Sequence, residues 1–179
     1  MAINGQSTER QRIHHELEGA RSDLHHLVAR TTPADLRRRT HGTRWTNGQM
    51  LWHMAFGYLI VRRLLPLVRL FGRLPDPLSR TFAAVLNAGA RPFHHINYLA
   101  SVGGALVFHG PRLTAQLDHT IDRLHRQLDA EPDAALGRRM HFPVSWDPFF
   151  RDTMTLAEVY TYGTEHYDFH RAQLTLETP

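Results

Sequence analysis

Apolar residues recur every three or four positions in four long segments of this 179-residue chain, and this spacing restricts its fold more than any other feature. Residues that far apart share one face of an α-helix. In residues 8–30 the repeating positions are Ile13, Leu17, Ala20, Leu24 and Leu27. The same spacing predicts helices over residues 47 to about 65, 111–128 and 156 to about 176. No segment shows the alternation typical of a strand, so the sequence predicts an all-α four-helix fold.

Two of the predicted helices begin with a capping box, in which a threonine and a residue three positions later satisfy each other's free backbone N–H groups. Thr46 and Gln49 form this pattern at the second helix, and Thr155 and Glu158 form it at the fourth. Pro66 is expected to kink or end the second helix, because proline removes a backbone hydrogen bond and clashes with the preceding turn.

The connections between these helices differ in length and regularity. Thr32 and Pro33 predict a short helix that runs through Arg39, since proline at the first helical position loses no hydrogen bond. Prolines and glycines break residues 74–108, between the second and third helices, into one or two brief helices. Residues 131–154 show no sustained period and predict a structured loop.

The composition excludes several kinds of site and partner. The chain has no cysteine, which rules out disulfides, thiolate-bound zinc, iron–sulfur clusters and cysteine nucleophiles, so nitrogen and oxygen must hold any metal. Its 21 basic residues are scattered, and the net charge is only +4, so nucleic acid binding is not favoured. A chain of this length predicts a single domain over residues 1–179.

The sequence also predicts a cytoplasmic protein without a membrane segment. Residues 1–12 are polar and lack the apolar stretch of a secretory signal. The most apolar run, residues 50–61, contains His53 and stops at Arg62 and Arg63. This run falls short of the ~18 residues that a bilayer requires, so it predicts a buried helix.

Three histidines lie where the predicted helices face the core. His166 and His170 are four positions apart on the apolar stripe of the last helix, so both rings can reach one ion. His53 is the histidine inside the apolar run of the second helix. Three neutral imidazoles would leave a divalent ion an open position for water or substrate. By spacing alone, a structural role for a pair of core histidines is about as well supported as metal binding.

The residues around these histidines resemble two motifs of the DinB-like (DinB/YfiT) superfamily. Residues 45–53 place a tryptophan eight positions before a helical histidine, and residues 166–174 read His-Tyr-Asp-Phe-His-Arg-Ala-Gln-Leu. Ala172 departs from the glycine that is commoner in the second motif. The resemblance implies a four-helix bundle with up-down-down-up topology, often a homodimer, and a divalent metal on three histidines, which are His53, His166 and His170. Zinc is the expected metal, with nickel, iron or manganese as alternatives.

The resemblance also implies a use for the metal. In family members from bacteria that use small thiols such as mycothiol, the metal binds the thiol as thiolate, which makes it nucleophilic at neutral pH. We therefore expect a thiol-dependent S-transferase or isomerase that acts on a small-molecule substrate. A hydrolase that uses metal-bound water, and a non-catalytic protein that binds a metal or an apolar ligand, are the alternatives.

Hydrolysis would require a carboxylate base near the open position of the metal. Glu165 and Asp168 are next to the ligands in sequence but project away from them around the helix, so they are poor candidates, and this favours thiol transfer. Tyr162 is expected to be a packing residue. The segment 74–108 is longer and more broken than is usual in the family, and we expect it to cover or line the mouth of the metal site.

Overall fold

The computed structural model describes residues 2–176, with side chains from residue 8 onward; Met1 and residues 177–179, the ends of the predicted domain, lie outside the described residues. The described chain forms eight helices and one two-stranded antiparallel sheet. The elements in chain order are α1 (Ala2–Arg30), α2 (Pro33–Arg37), α3 (Asn47–Phe71), α4 (Asp76–Ala88), α5 (Ala90–Val107), α6 (Pro111–Asp129), α7 (Asp133–Leu136), β1 (Arg139–His141), β2 (Thr153–Thr155) and α8 (Leu156–Arg171).

The four predicted long helices are confirmed as α1, α3, α6 and α8. Helix α1 packs against α6 and α8, and α3 packs against the same two helices, so the four enclose one core. Their apolar stripes face inward, and the predicted core positions Ile13, Leu17 and Leu24 of α1 are fully buried. The fold is therefore all-α, while the up-down-down-up order of the helices stays a prediction.

Helix α3 extends beyond the end that its sequence predicted. It continues through Pro66 to Phe71, so Pro66 does not end the helix, and a kink at Pro66 stays a prediction. The Pro66 ring is exposed, but Leu65 and Val68 beside it are fully buried. Burying two such side chains stabilises the helix by about 3–6 kcal/mol, which offsets the roughly 3 kcal/mol that an internal proline costs.

Residues 74–108 contain the two helices that were expected there, but α4 and α5 have 13 and 18 residues and are longer than brief helices. Gly89 separates them. Gly104, which suggested a break, lies within α5 where this helix approaches Trp52, and a Cβ at Gly104 would collide with the indole nitrogen. This glycine permits close packing of α5 against α3.

Residues 131–154 contain regular structure that the sequence did not predict. Helix α7 is followed by β1 and β2, which pair with Met140 opposite Met154, and both methionines are buried. Strands of three residues are too short to show an alternating pattern. Strand β2 leads directly into α8, whose N-cap Thr155 forms the predicted capping box with Glu158.

Helix α8 ends at Arg171, before the predicted end near Leu176. The chain leaves the helix to reach Asn47, a fully buried residue at the start of α3: the Thr175 N–H donates to Asn47 Oδ1 over 3.0 Å. Asn47 Nδ2 in turn donates to the Asp35 carbonyl over 2.9 Å. The start of α3 is thus fastened to the segment that follows α8.

Among the helices of the described residues, we find none with both the length and the apolar character needed to cross a bilayer.

Candidate metal centre

The three predicted histidines converge inside the bundle between α3 and α8. The ring centroid of His53 lies 4.9 Å from that of His166 and 4.7 Å from that of His170, and the two α8 rings are 4.5 Å apart. One nitrogen from each ring lies within 4.8 Å of the other two. His53 and His166 are buried, and His170 is half-buried. This is the arrangement needed to bind one ion from three sides.

A close approach of the two helices creates the space for these rings. Gly57, one turn after His53 on α3, faces the imidazole of His166, and a Cβ at this position would lie 2.7 Å from His166 Nδ1. Any side chain there would push the ring away from its place, so the absent side chain of Gly57 is part of the site.

Hydrogen bonds fix which nitrogen of His53 carries the proton. Ser101 of α5 is fully buried, and its hydroxyl donates to the Asn97 carbonyl over 2.8 Å. Because that bond uses the only hydroxyl proton, Ser101 Oγ accepts the 2.9 Å bond from His53 Nδ1–H. The lone pair of His53 is therefore on Nε2, free to bind a metal.

His170 is oriented in the same way from its own helix end. Its Nδ1–H donates to Gln173 Oε1 over 2.8 Å, which leaves the Nε2 lone pair free. Trp45 closes the site on another side, with its ring centroid 4.3 Å from that of His53. Both of these ligand candidates have the hydrogen-bonded outer nitrogen that is typical of metal-binding histidines.

His166 differs, because neither of its nitrogens has a hydrogen bond within the described residues. Its Nδ1 is buried without a partner, and its Nε2 lies 3.9 Å from Asp147 Oδ2, beyond hydrogen-bonding distance. A buried imidazole without partners is costly. Coordination of a cation would supply the missing interaction.

The charge state of the three rings also suits a metal. Burial, with a smaller contribution from the nearby His170, lowers the pKa of His53 to about 3. Burial is also the main reason why the pKa values of His166 and His170 are lowered. The imidazoles are therefore neutral at physiological pH, the form in which histidine binds metals. This donor set fits a divalent ion such as zinc.

Comparison with protein families decides the relationship of this chain. The family profile described as the DinB superfamily matches residues 16–174, which is most of the chain and includes all three histidines. The chain belongs to the DinB superfamily. No individual curated protein and no solved structure is significantly similar to it.

This member of the DinB superfamily has a carboxylate beside its three histidines that the sequence did not predict. Asp147 lies in the loop between β1 and β2, and its Oδ2 accepts a 3.0 Å hydrogen bond from the Tyr162 hydroxyl. Its Oδ1 accepts a 2.9 Å bond from the Phe149 N–H. Burial raises the pKa of Asp147, and these hydrogen bonds limit the rise. A lone aspartate beside Pro148 carries no periodic signal that would place it beside His166.

The carboxylates that the sequence analysis did consider lie where it predicted. Glu165 and Asp168 are exposed on α8, away from the inward-facing histidines. Tyr162 is buried, as expected of a packing residue, but its hydroxyl also holds the Asp147 carboxylate, which gives this residue a second role at the site.

A cavity of about 190 Å³ adjoins the centre of this DinB protein. His53, His166 and Asp147 line one part of it, and Asn97 and Phe93 of α5 contribute another part. The expectation that segment 74–108 lines the mouth of the site is thereby confirmed through α5. A small molecule in this cavity would contact two of the three imidazoles directly.

Proposed function

We propose that this DinB superfamily protein is a divalent-metal-dependent enzyme that activates a small thiol for S-transfer or isomerisation. The observation that supports the proposal is the convergence of three neutral imidazoles beside a cavity that also holds Asp147. A divalent ion on His53, His166 and His170 would act as a Lewis acid that lowers the pKa of a bound thiol.

The residues of the chain have separate tasks in this reaction. Ser101 and Gln173 keep the two Nε2 lone pairs directed inward, and the apolar cavity excludes water from the electrophile. Asp147 Oδ2, beside His166, accepts the thiol proton. In a transfer, the sulfur forms a bond to the electrophilic carbon, and the leaving group departs with the electron pair of the broken bond and takes up the proton.

An isomerisation would use the same residues without consuming the thiol. The sulfur adds to one carbon of a double bond, the remaining single bond rotates, and expulsion of the sulfur restores the double bond. Asp147 would keep the thiol proton during this cycle and return it at the end.

A hydrolase is the second candidate, and Asp147 is the observation that favours it. Without a base near the open position, water activation had no support from the sequence. The Asp147 carboxylate lies 3.9 Å from a ligand nitrogen and is held by Tyr162, so it is placed to take a proton from a water molecule at the metal.

The first test is whether the histidines bind the metal. We expect purified wild-type protein to contain about one equivalent of divalent metal by elemental analysis, and His53→Ala to lose it. Unchanged metal content in the folded variant would refute the site. His95→Ala, which alters an exposed histidine of α5, is a matched control that should keep its metal.

The second test separates the two reactions. Metal-loaded protein is assayed with a small thiol and a chromogenic electrophile, and separately with an activated ester and no thiol. Turnover only in the presence of thiol supports the transferase, and thiol-independent ester cleavage supports the hydrolase. If the protein is silent in both assays but its melting temperature rises with an apolar ligand, the non-catalytic alternative replaces both.

Asp147→Asn then measures the part played by the base. Loss of the carboxylate should lower the rate of hydrolysis by about 10²–10⁴-fold. The rate of thiol transfer should fall much less, because metal coordination already favours the thiolate. Asp168→Asn, which alters an exposed aspartate between His166 and His170 on α8, is the control.

The homodimer implied by the family resemblance and the cytoplasmic location predicted from the sequence stay predictions. Light scattering can test the first and cell fractionation the second.

A further inference from the structure

The cavity at the metal centre has chemically different ends. His53, His166 and Asp147 form its polar part, and aromatic rings form much of its wall. The guanidinium-bearing side chain of Arg63 is also part of the lining. Because His53 and Arg63 are ten residues apart on α3, their backbones are separated by about 15 Å along the helix axis. A molecule in this cavity can therefore meet two polar groups with apolar surface between them.

Arg63 has no ionic partner among residues 8–176. No described carboxylate lies within ion-pair distance of Arg63, whereas Arg69, further along α3, pairs with Glu131. Arg63 is exposed, and on an α-helix its side chain points back toward the N-terminus, which is the direction of His53. An unpaired guanidinium over an apolar cavity offers two parallel N–H donors to a planar anion.

The charge of the cavity restricts which anion fits. Arg63 is the single arginine or lysine side chain in the described lining. One guanidinium matches a carboxylate with one negative charge better than a phosphate with two. Asp147 repels an anion from the inner part of the cavity, so the carboxylate belongs at the Arg63 end.

The walls restrict the rest of the ligand. Phe93 of α5 and Trp146 of the β1–β2 loop stack with ring centroids 3.9 Å apart, and Phe150 lies on the same lining. The cavity volume of about 190 Å³ is below the roughly 300–1,000 Å³ of sites for drug-sized ligands. The apolar body of the ligand is therefore small, and a single aromatic ring suits these walls.

We propose that this cavity binds small aromatic monocarboxylic acids, with the carboxylate on Arg63 and the other end of the molecule directed toward the histidines. Binding of the acid does not require the metal. Only its assignment as the substrate class rests on the proposed function.

Isothermal titration with 3-phenylpropionate and its neutral analogue 3-phenylpropan-1-ol tests this proposal, in metal-free and in zinc-loaded protein. We expect the metal-free wild type to bind the acid about fivefold more tightly than the alcohol, since Arg63 is exposed and its ion pair is partly screened. Arg63→Gln should remove this preference and leave binding of the alcohol unchanged. Arg62→Gln is the matched control, because Arg62 lies next to it but outside the lining.

Three outcomes would overturn the proposal: wild type that binds neither probe, an acid preference that persists in Arg63→Gln, or an equal loss in Arg62→Gln. Zinc titration of the same samples separates this result from the proposed function. Zinc binding without acid preference would refute the carboxylate site and leave the metal-dependent function in place. Acid preference without zinc binding would refute the metal-dependent function and leave the carboxylate site in place.

Discussion

Gly57→Ala tests whether the fit of α3 against α8 sets the position of a metal ligand. The new Cβ would lie 2.7 Å from Nδ1 and 3.1 Å from Cε1 of His166, whereas ordinary contacts begin at 3.4 Å. The ring of His166 must therefore retreat by about 0.7 Å. Metal sites tolerate deviations of only about 0.2 Å in ligand distance, so the displaced ring can no longer bind in its original geometry.

Two free-energy changes follow from this contact. In an open helical position, glycine to alanine would stabilise the fold by about 1 kcal/mol, but overpacking costs about 1–3 kcal/mol. We therefore expect Gly57→Ala to lower the free energy of unfolding of the metal-free protein by at most about 2 kcal/mol. Zinc affinity should fall by about 10–100-fold, as when the support of a ligand is lost.

Two other glycines provide controls for this experiment. At Gly163 a Cβ would lie 2.8 Å from the Tyr58 ring, so Gly163→Ala crowds the same helix interface without touching a histidine. Gly19 on α1 has nothing within 4 Å, so Gly19→Ala should stabilise the fold slightly. Urea unfolding without metal and competitive zinc titration give the two quantities for each variant. Zinc affinity in folded Gly57→Ala equal to that of wild type, or reduced equally in Gly163→Ala, would show that the contact between Gly57 and His166 does not set the position of the ring.

Three further predictions concern the same site. Ser101→Ala leaves His53 Nδ1–H without its acceptor, so zinc affinity should fall by about tenfold. Ser79→Ala, which alters another buried serine, should leave zinc affinity unchanged in the same titration. Saturating zinc should raise the melting temperature of wild type but not of His53→Ala, because the ion binds the folded state, and equal rises in calorimetry would contradict the site. In metal-free protein, the pKa of His53 is lowered from 6.5 to about 3, so the unfolded chain takes up the proton first as the pH falls. The contribution of the neutral ring to stability is complete above pH 6.5 and is lost toward pH 3, by up to about 1.4 kcal/mol per pH unit. Urea unfolding between pH 7 and 4 should therefore show that the free energy of unfolding falls less steeply with pH in His53→Gln than in wild type. Equal dependence on pH in the two proteins would refute the lowered pKa of His53.

The sequence predicted the parts of this fold that repeat along a helix. Apolar period and capping boxes located the four long helices, and the spacing of His166 and His170 placed two rings on one inward face. His53 followed from its place in an apolar run and from the family resemblance. These features depend on local helix geometry, which can be inferred directly from the spacing of residues along the sequence.

The missed features depend on contacts between distant segments. Asp147 and Ser101 reach the site from a loop and from a helix of the long connection, and no local pattern fixes either position. Helix α3 passes Pro66 because burial of its neighbours outweighs a local penalty. The carboxylate of Asp147 could not be predicted for the same reason, because the fold brings it to His166 and it is not near the three histidines along the chain.

An ion bound by the three histidines would link two helices of a chain that has no cysteine to form a disulfide. His53 and His166 are separated by about 110 residues, yet a single ion between them would join α3 to α8. In the chain-entropy description, tying together residues that far apart in the unfolded state is worth about 4–5 kcal/mol. The ion would then serve as a removable cross-link, released by a chelator where a disulfide needs a reductant.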